Sequence, residues 1–131
     1  MNIDYLMNGD WVFGKHTGKN MRWDWFHHRF LEGESIEPIE LTTEILEKSG
    51  FRYTKVKRWM TEGDEWVWKI EDDYRQYCVE IEESGNDGGD YFIVKMANGV
   101  QYMEMYIRWV HELQQAMRLF GIKQEIKIYE D

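Results

Sequence analysis

The sequence predicts an α+β domain: an antiparallel β-meander with a C-terminal helix packed on one face and a short helix near residues 42–49. Three observations carry this prediction. Apolar and polar residues alternate along 75–83, Asn98-Gly99 separates two apolar runs, and apolar residues recur every three or four positions along 107–120. Alternation is typical of a strand with one wet face, and the longer spacing is typical of an amphipathic helix. The 131 residues show no repeat and no linker, so we expect a single domain over 1–131.

The first third of the chain predicts short extended segments. Residues 10–13 form an apolar strand candidate, and the glycines of 14–18 predict a turn after it. Residues 21–30 are interpreted as a second strand. In that strand one face would carry four alternating residues, Met21, Trp23, Trp25 and His27.

The short helix has signals at both ends. Thr42 is a suitable N-cap, because its side chain can accept a backbone N–H of the first turn. Leu41 and Leu46 stand at the two positions of a hydrophobic staple. Gly50 supplies the left-handed residue that ends a helix.

The rest of the chain predicts the meander and its helix. Asn-Gly is the preferred two-residue hairpin turn, so 91–97 and 100–106 should pair. The helix over 107–120 should end at Gly121, and a last strand should follow at 125–129. The other predicted strands are 53–60, 65–71 and 75–83, joined by turns at 61–64 and 84–90. The predicted core comprises Ile45, Leu46, Val79, Ile81, Val110, Leu113, Met117 and Phe120.

The charge balance constrains the partners. Twenty-five acidic residues against 16 Lys and Arg leave a net charge of −9, which argues against binding to a nucleic-acid backbone and permits mimicry of DNA. Cys78 is the single cysteine, so no internal disulfide is expected. The N-terminus lacks the pattern of a signal peptide, and no apolar run approaches the length of about 20 residues that spans a bilayer. We therefore expect a cytoplasmic protein that does not bind membranes.

Catalytic and metal-binding patterns are incomplete. His111-Glu112 begins a zinc-protease motif, but Gln115 stands where the second histidine would be. His27 and His28 are adjacent, so in a strand they would point to opposite faces. Residues 86–90 lack the ligand register of a calcium loop. We expect no cofactor and no metal, and the sequence favours a non-enzymatic protein.

The most unusual feature is the mixture of aromatic and basic residues in two segments, 22–29 and 55–59. Indole rings that stack on a base, with cations for phosphate, are how many proteins hold nucleotides. The alternative is that the indoles face the core while the cations face solvent. The predicted ligand or partner surface comprises Trp23, Trp25, Arg29, Arg58 and Trp59.

Three segments carry a resemblance to known proteins. Residues 9–12 (GDWV), 36–51 (IEPIELTTEILEKSGF) and 111–126 (HELQQAMRLFGIKQEI) resemble short uncharacterised proteins encoded by phages, prophages and mobile elements of gut Bacteroidetes. Those proteins have no assigned activity. The resemblance implies a phage-type accessory protein of the bacterial cytoplasm.

Three functional hypotheses follow from the resemblance and the composition. The first is a counter-defence protein that sequesters a nucleotide immune signal. The alternatives are a protein-interaction module that inhibits a host protein, for instance by acidic DNA mimicry, and a virion or replication accessory factor. Because an aromatic fraction of 16% is hard to bury within 131 residues, we also expect a homodimer.

Overall fold

A computed structural model describes residues 1–57, 64–71, 77–83, 91–97 and 100–128, without the side chains of residues 57, 64 and 102. The strands are β1 (Trp11–Gly14), β2 (Lys19–Arg22), β3 (Ile36–Pro38), β4 (Arg52–Lys57), β5 (Asp64–Glu71), β6 (Tyr77–Glu83), β7 (Tyr91–Ala97) and β8 (Val100–Ile107). The helices are α1 (Trp25–His28), α2 (Thr43–Lys48) and α3 (Val110–Phe120). Single 3-10 turns lie at Ile3–Tyr5 and Gly33–Ser35.

The five later strands form one antiparallel meander in the order β4-β5-β6-β7-β8, which confirms the predicted fold class. Ala97 pairs with Val100, so two residues connect β7 to β8, as the hairpin prediction requires. Asn98-Gly99, the predicted turn at 84–90 and residues 61–63 of the predicted turn at 61–64 lie outside the described residues, and Asp64 begins β5.

Helix α3 packs its apolar face on this sheet. It begins at Val110 rather than 107, because Ile107 is still paired in β8 and the Glu112 carboxylate accepts the N–H groups of Arg108 and Trp109 at 2.9 and 3.0 Å. Gly121, at φ +76°, ends the helix. All eight residues of the predicted core are buried.

The short helix α2 is confirmed with its predicted cap. The Thr42 hydroxyl accepts the N–H of Ile45 at 3.3 Å, and Gly50 takes a φ of +97° directly after the helix. That left-handed conformation is open to glycine at little cost. Phe51, 1% exposed, then returns the chain to the core.

A second, smaller sheet in the order β2-β1-β3 covers its own core of Leu6, Val12, Trp23 and Ile36. Residues 39–41 run antiparallel to 108–110 and join the two sheets. In this junction the N–H of Leu41 donates to the carbonyl of Arg108, and the N–H of Val110 donates to the carbonyl of Ile39.

The predicted strand over 21–30 is wrong beyond Arg22. Asp24 breaks it, because its carboxylate accepts the N–H of Phe26 at 2.9 Å and caps helix α1. Trp23 and Trp25 therefore precede and begin a helix instead of alternating along a strand.

The predicted strand at 125–129 is also wrong within its described part, 125–128. These residues belong to no strand, and their backbone groups bond side chains of other segments. Lys127 donates its N–H to the Ser49 hydroxyl at 2.8 Å, and the Ile126 carbonyl accepts from the Trp11 indole at 3.1 Å.

The face of the meander opposite α3 is not the uniformly wet face that alternation predicted. Glu80 is only 4% exposed, although its neighbours Cys78 and Glu82 are half-buried. It stands on the middle strand between Lys69 of β5 and Val94 of β7, so flanking side chains shield it from water. Val67 and Val94 are buried on the same face.

Candidate functional site

Three of the five residues predicted for the ligand surface, Trp23, Trp25 and Arg29, lie in the described part of the chain. Trp23 is 1% exposed and belongs to the smaller core, where its ring meets that of Trp25 edge to face at 5.0 Å. The Trp25 indole is half-buried and donates its N–H to the Leu6 carbonyl at 2.7 Å. These two indoles hold the N-terminal segment onto β1 and β2. Arg58 and Trp59 lie outside the described residues.

Arg29 is exposed and stacks on other rings than those predicted. Its guanidinium carbon lies 5.3 Å from the ring centre of Phe26 and 4.8 Å from that of Phe30. Both rings are largely exposed, at 73% and 84%. The ring-and-cation combination therefore exists at Arg29, with phenyl rings in place of indoles. Whether the five predicted residues take part in binding stays a prediction.

Phe26 lies on helix α1 and Phe30 follows shortly after it, and Asp24 fixes the start of the helix. The N–H of Phe26 and the imidazole of His27 both bond the Asp24 carboxylate. The bond from His27 is the larger cause that holds the pKa of Asp24 below its ordinary value. The short turn is thereby held by its own side chains.

A second exposed aromatic group lies on the meander, and we call it the aromatic surface: Tyr53, Trp66 and Trp68. The register of β4 and β5 pairs Tyr53 with Trp68, so both rings lie on one face of the sheet. The Tyr53 ring stacks on that of Trp66 with centroids 5.2 Å apart and planes at 22°, and its centroid lies 5.1 Å from Trp68. Tyr53 and Trp66 remain 56% and 52% exposed.

Carboxylates border the aromatic surface. A groove of about 310 Å³ runs beside the rings and is lined by Tyr53, Glu65, Trp66, Trp68, Ile81, Glu82 and Glu83. Ile81 pairs with Trp68, and Glu83 lies two residues further along the same face of β6. One cation stands nearby, since Lys55 pairs with Trp66. Among the described residues, three carboxylates and one ammonium border the groove, so acidic groups are in excess there.

The charge of Glu83 also affects the pKa of Tyr91, its partner on β7. Glu83 pairs with Tyr91, and burial of the Tyr91 ring raises the pKa of that phenol, with smaller contributions from the charges of Glu83 and Glu40. The phenol is therefore neutral at physiological pH.

Sequence reasoning missed the aromatic surface. The sequence predicted a strand over 65–71, in which Trp66 and Trp68 lie on one face, but nothing in it indicated that these rings stay exposed. The partner ring, Tyr53, lies 13 residues earlier, and only the register of two strands brings it beneath Trp66. On the same face Ile70 of β5 packs into the main core, whereas Tyr53 and Trp66 stay exposed.

The aromatic surface and its carboxylates are suited to binding a ligand or a partner. Exposed ring faces attract cations and flat groups, and the carboxylates beside them add a preference for positive charge. In the described residues, no group of three or more His, Cys, Asp and Glu side chains is placed to share a metal ion. None of the helices in that part of the chain has the length and apolar composition needed to cross a bilayer.

Comparisons with known protein families, with curated protein sequences and with solved structures find no match for this chain.

Proposed function

We propose that the protein is a non-enzymatic binding protein and that its aromatic surface holds a basic segment of a partner protein. The observation that carries this proposal is the exposed stack of Tyr53 on Trp66 beside a groove lined by glutamates. Large rings left in solvent are the residues that dominate protein interfaces. This function fits the hypothesis of a module that inhibits a host protein, as expected of a phage-type accessory protein.

Charge selects the partner. The chain carries −9 overall, and the groove repeats that sign locally. A partner segment with Arg or Lys gains attraction at long range and cation–π contact at short range. An acidic segment meets repulsion at both distances.

The test is a calorimetric titration with a short peptide, acetyl-Arg-Gly-Lys-Gly-Arg-amide, against the same peptide with Glu at its three charged positions. The basic peptide should bind and the acidic one should not. Trp66→Ala should weaken binding by about tenfold, the worth of one good cation–π contact. Tyr106→Ala is the matched control, because it removes a ring that is 66% exposed on the other edge of the sheet. Equal binding of both peptides, or an unchanged affinity in Trp66→Ala, would contradict the proposal.

Sequestration of a nucleotide signal is the second candidate function, and the Arg29 guanidinium between two exposed phenyl rings favours it. A base can stack on a phenyl ring while the guanidinium bonds a phosphate. A thermal-shift screen with cyclic di- and trinucleotides tests it, since a ligand at 100 times its Kd adds about 2.7 kcal/mol to the free energy of unfolding. The stabilisation should vanish in Arg29→Glu, and no stabilisation by any of these nucleotides would count against this candidate.

A further inference from the structure

A second cavity lies away from the aromatic surface, between the C-terminal end of α3, the chain that follows it and the turn at Gly9. Its volume is about 490 Å³, within the range of small-molecule sites. Met117, Ile122 and Ile126 supply apolar wall. Met117 and Ile126 are almost completely buried, so the wall belongs to the main core and is not loose surface.

The charged groups of this cavity have the opposite sign to the protein as a whole. Arg22, Arg118 and Lys123 line it, against the single carboxylate of Glu125. Counting also the buried Asp10 carboxylate that Arg118 contacts, the three cations exceed the carboxylates by one among the described residues, in a chain of net charge −9. Such a local excess of cations attracts an anion from solution.

The three cations differ in the ion pairs that they already form within the protein. Arg118 donates to the fully buried carboxylate of Asp10 at 2.6 Å, so most of its charge is compensated inside the protein. Arg22 pairs with Glu125 at 2.8 Å, but both side chains are about half exposed or more, and such exposed pairs contribute little. Lys123 has no hydrogen-bond or ion-pair partner among the described residues. A ligand anion can therefore replace the Glu125 carboxylate as the partner of Arg22 and form a second ion pair with Lys123.

Both sides of the cavity are held in place before any ligand arrives. The Arg22 guanidinium lies 4.7 Å from the centre of the Trp11 ring, which fixes its plane. The same Trp11 indole donates to the Ile126 carbonyl, and Gln124 donates to the Ser49 carbonyl at 2.7 Å. Preorganised walls reduce the ordering cost of binding.

We propose that this cavity binds a small organic anion, an acidic headgroup on an apolar body. The headgroup contacts Arg22 and Lys123, and the apolar body lies against Met117, Ile122 and Ile126. This site uses none of the residues of the aromatic surface and stands whether or not that surface binds a partner.

The experiment uses 2-naphthoate as the probe, with 2-naphthamide as its neutral counterpart and inorganic phosphate as an anion without an apolar body. Binding is measured by calorimetry, and its place by the NMR signal of the Met117 methyl group, assigned with Met117→Leu. The naphthoate should bind at least about tenfold more tightly than either comparison compound and should shift the Met117 signal. Equal affinity for the amide or for phosphate, or an unmoved Met117 signal, overturns the proposal.

Two single substitutions should act in opposite directions on the Kd of naphthoate. Lys123→Gln removes a cation from the headgroup and should weaken binding about tenfold. Glu125→Gln removes the competing carboxylate from Arg22 and should strengthen it. Lys19→Gln, which removes an exposed cation on β2 that does not line the cavity, should leave the Kd unchanged. Equal Kd values for the wild type, Lys123→Gln and Glu125→Gln would overturn the assignment of the headgroup.

Discussion

The carboxylate of Asp10 is completely buried, and three hydrogen-bond donors surround it. The Met7 N–H, the Gln115 amide and the Arg118 guanidinium all bond it, at 2.9, 2.8 and 2.6 Å. A buried charge without such partners would be strongly destabilising. Because two of these partners lie on α3, more than 100 residues away in the chain, the sequence could not reveal the network. It ties the N-terminal sheet to the helix of the meander.

His111 is the buried residue whose titration should be visible in the stability of the protein. It is 8% exposed, and its Nδ1 has no hydrogen-bond partner among the described residues. Burial lowers the pKa of His111 below its ordinary value of 6.5, more than the charges of Glu112 and Asp10 raise it. Burial therefore favours the neutral imidazole in the folded protein.

The expected outcome is a free energy of unfolding that falls as the pH drops below about 6.5. In that range the unfolded chain binds a proton that the folded His111 does not, so protonation favours unfolding. Urea unfolding at pH 7.5 and pH 5.5 measures the difference. His111→Gln should reduce it, whereas His16→Gln, at an exposed histidine, should not. An unchanged pH dependence in His111→Gln would contradict this account.

At the scale of elements, the sequence correctly predicted the features that depend only on neighbouring residues. The caps of α2, the glycines at its end and after α3, and the two-residue hairpin each depend on a few neighbouring residues. The failures at 21–30 and 125–129 have different causes. At 21–30 the sequence contained a usable signal, since Asp24 is a good N-cap that the alternation of Trp23 and Trp25 obscured. At 125–128 the alternation correctly marked Ile126 as buried, but pairing depends on a neighbouring strand, which no local pattern specifies.

The candidate site was less predictable than the fold for the same reason. The residues of the aromatic surface come from two strands, and their stacking depends on register and on how far α3 extends over the sheet. Trp23 and Trp25 are close together in the sequence, yet Trp23 is completely buried in the smaller core. Composition therefore identified an excess of aromatic surface without locating it.

Helix α3 offers a test of its assigned faces within one element. Leu113 is fully buried in the main core, and Leu119 is 62% exposed on the opposite face. Leu113→Ala should lower the free energy of unfolding by about 2–5 kcal/mol through lost burial and the cavity left behind. Leu119→Ala should change it by less than about 0.5 kcal/mol. Urea unfolding measures both, and similar losses in the two variants would show that the helix is turned differently.

At the scale of the whole molecule, the exposed rings are distributed over several surfaces. Phe26 and Phe30 lie at α1, Tyr53 and Trp66 on the β4–β5 side of the meander, and Tyr106 on β8. The larger core contains Trp11, Phe51, Tyr91 and Phe120. The rings left in solvent are the spare aromatic area from which the sequence predicted a homodimer, and that state remains a prediction.

The net charge predicts how the stability of the homodimer depends on salt concentration. Two chains of −9 repel each other, and added salt screens that repulsion, with a Debye length falling from about 30 Å at 0.01 M to about 10 Å at 0.1 M. An interface built from exposed rings gains its free energy from apolar burial, which added salt does not screen. The homodimer should therefore become more stable as the salt concentration rises. Sedimentation velocity at micromolar chain concentration should show a larger dimer fraction in 0.5 M than in 0.02 M NaCl, and Trp66→Ala or Phe30→Ala should reduce it if that ring lies in the interface. A monomeric mass at both salt concentrations would rule the homodimer out.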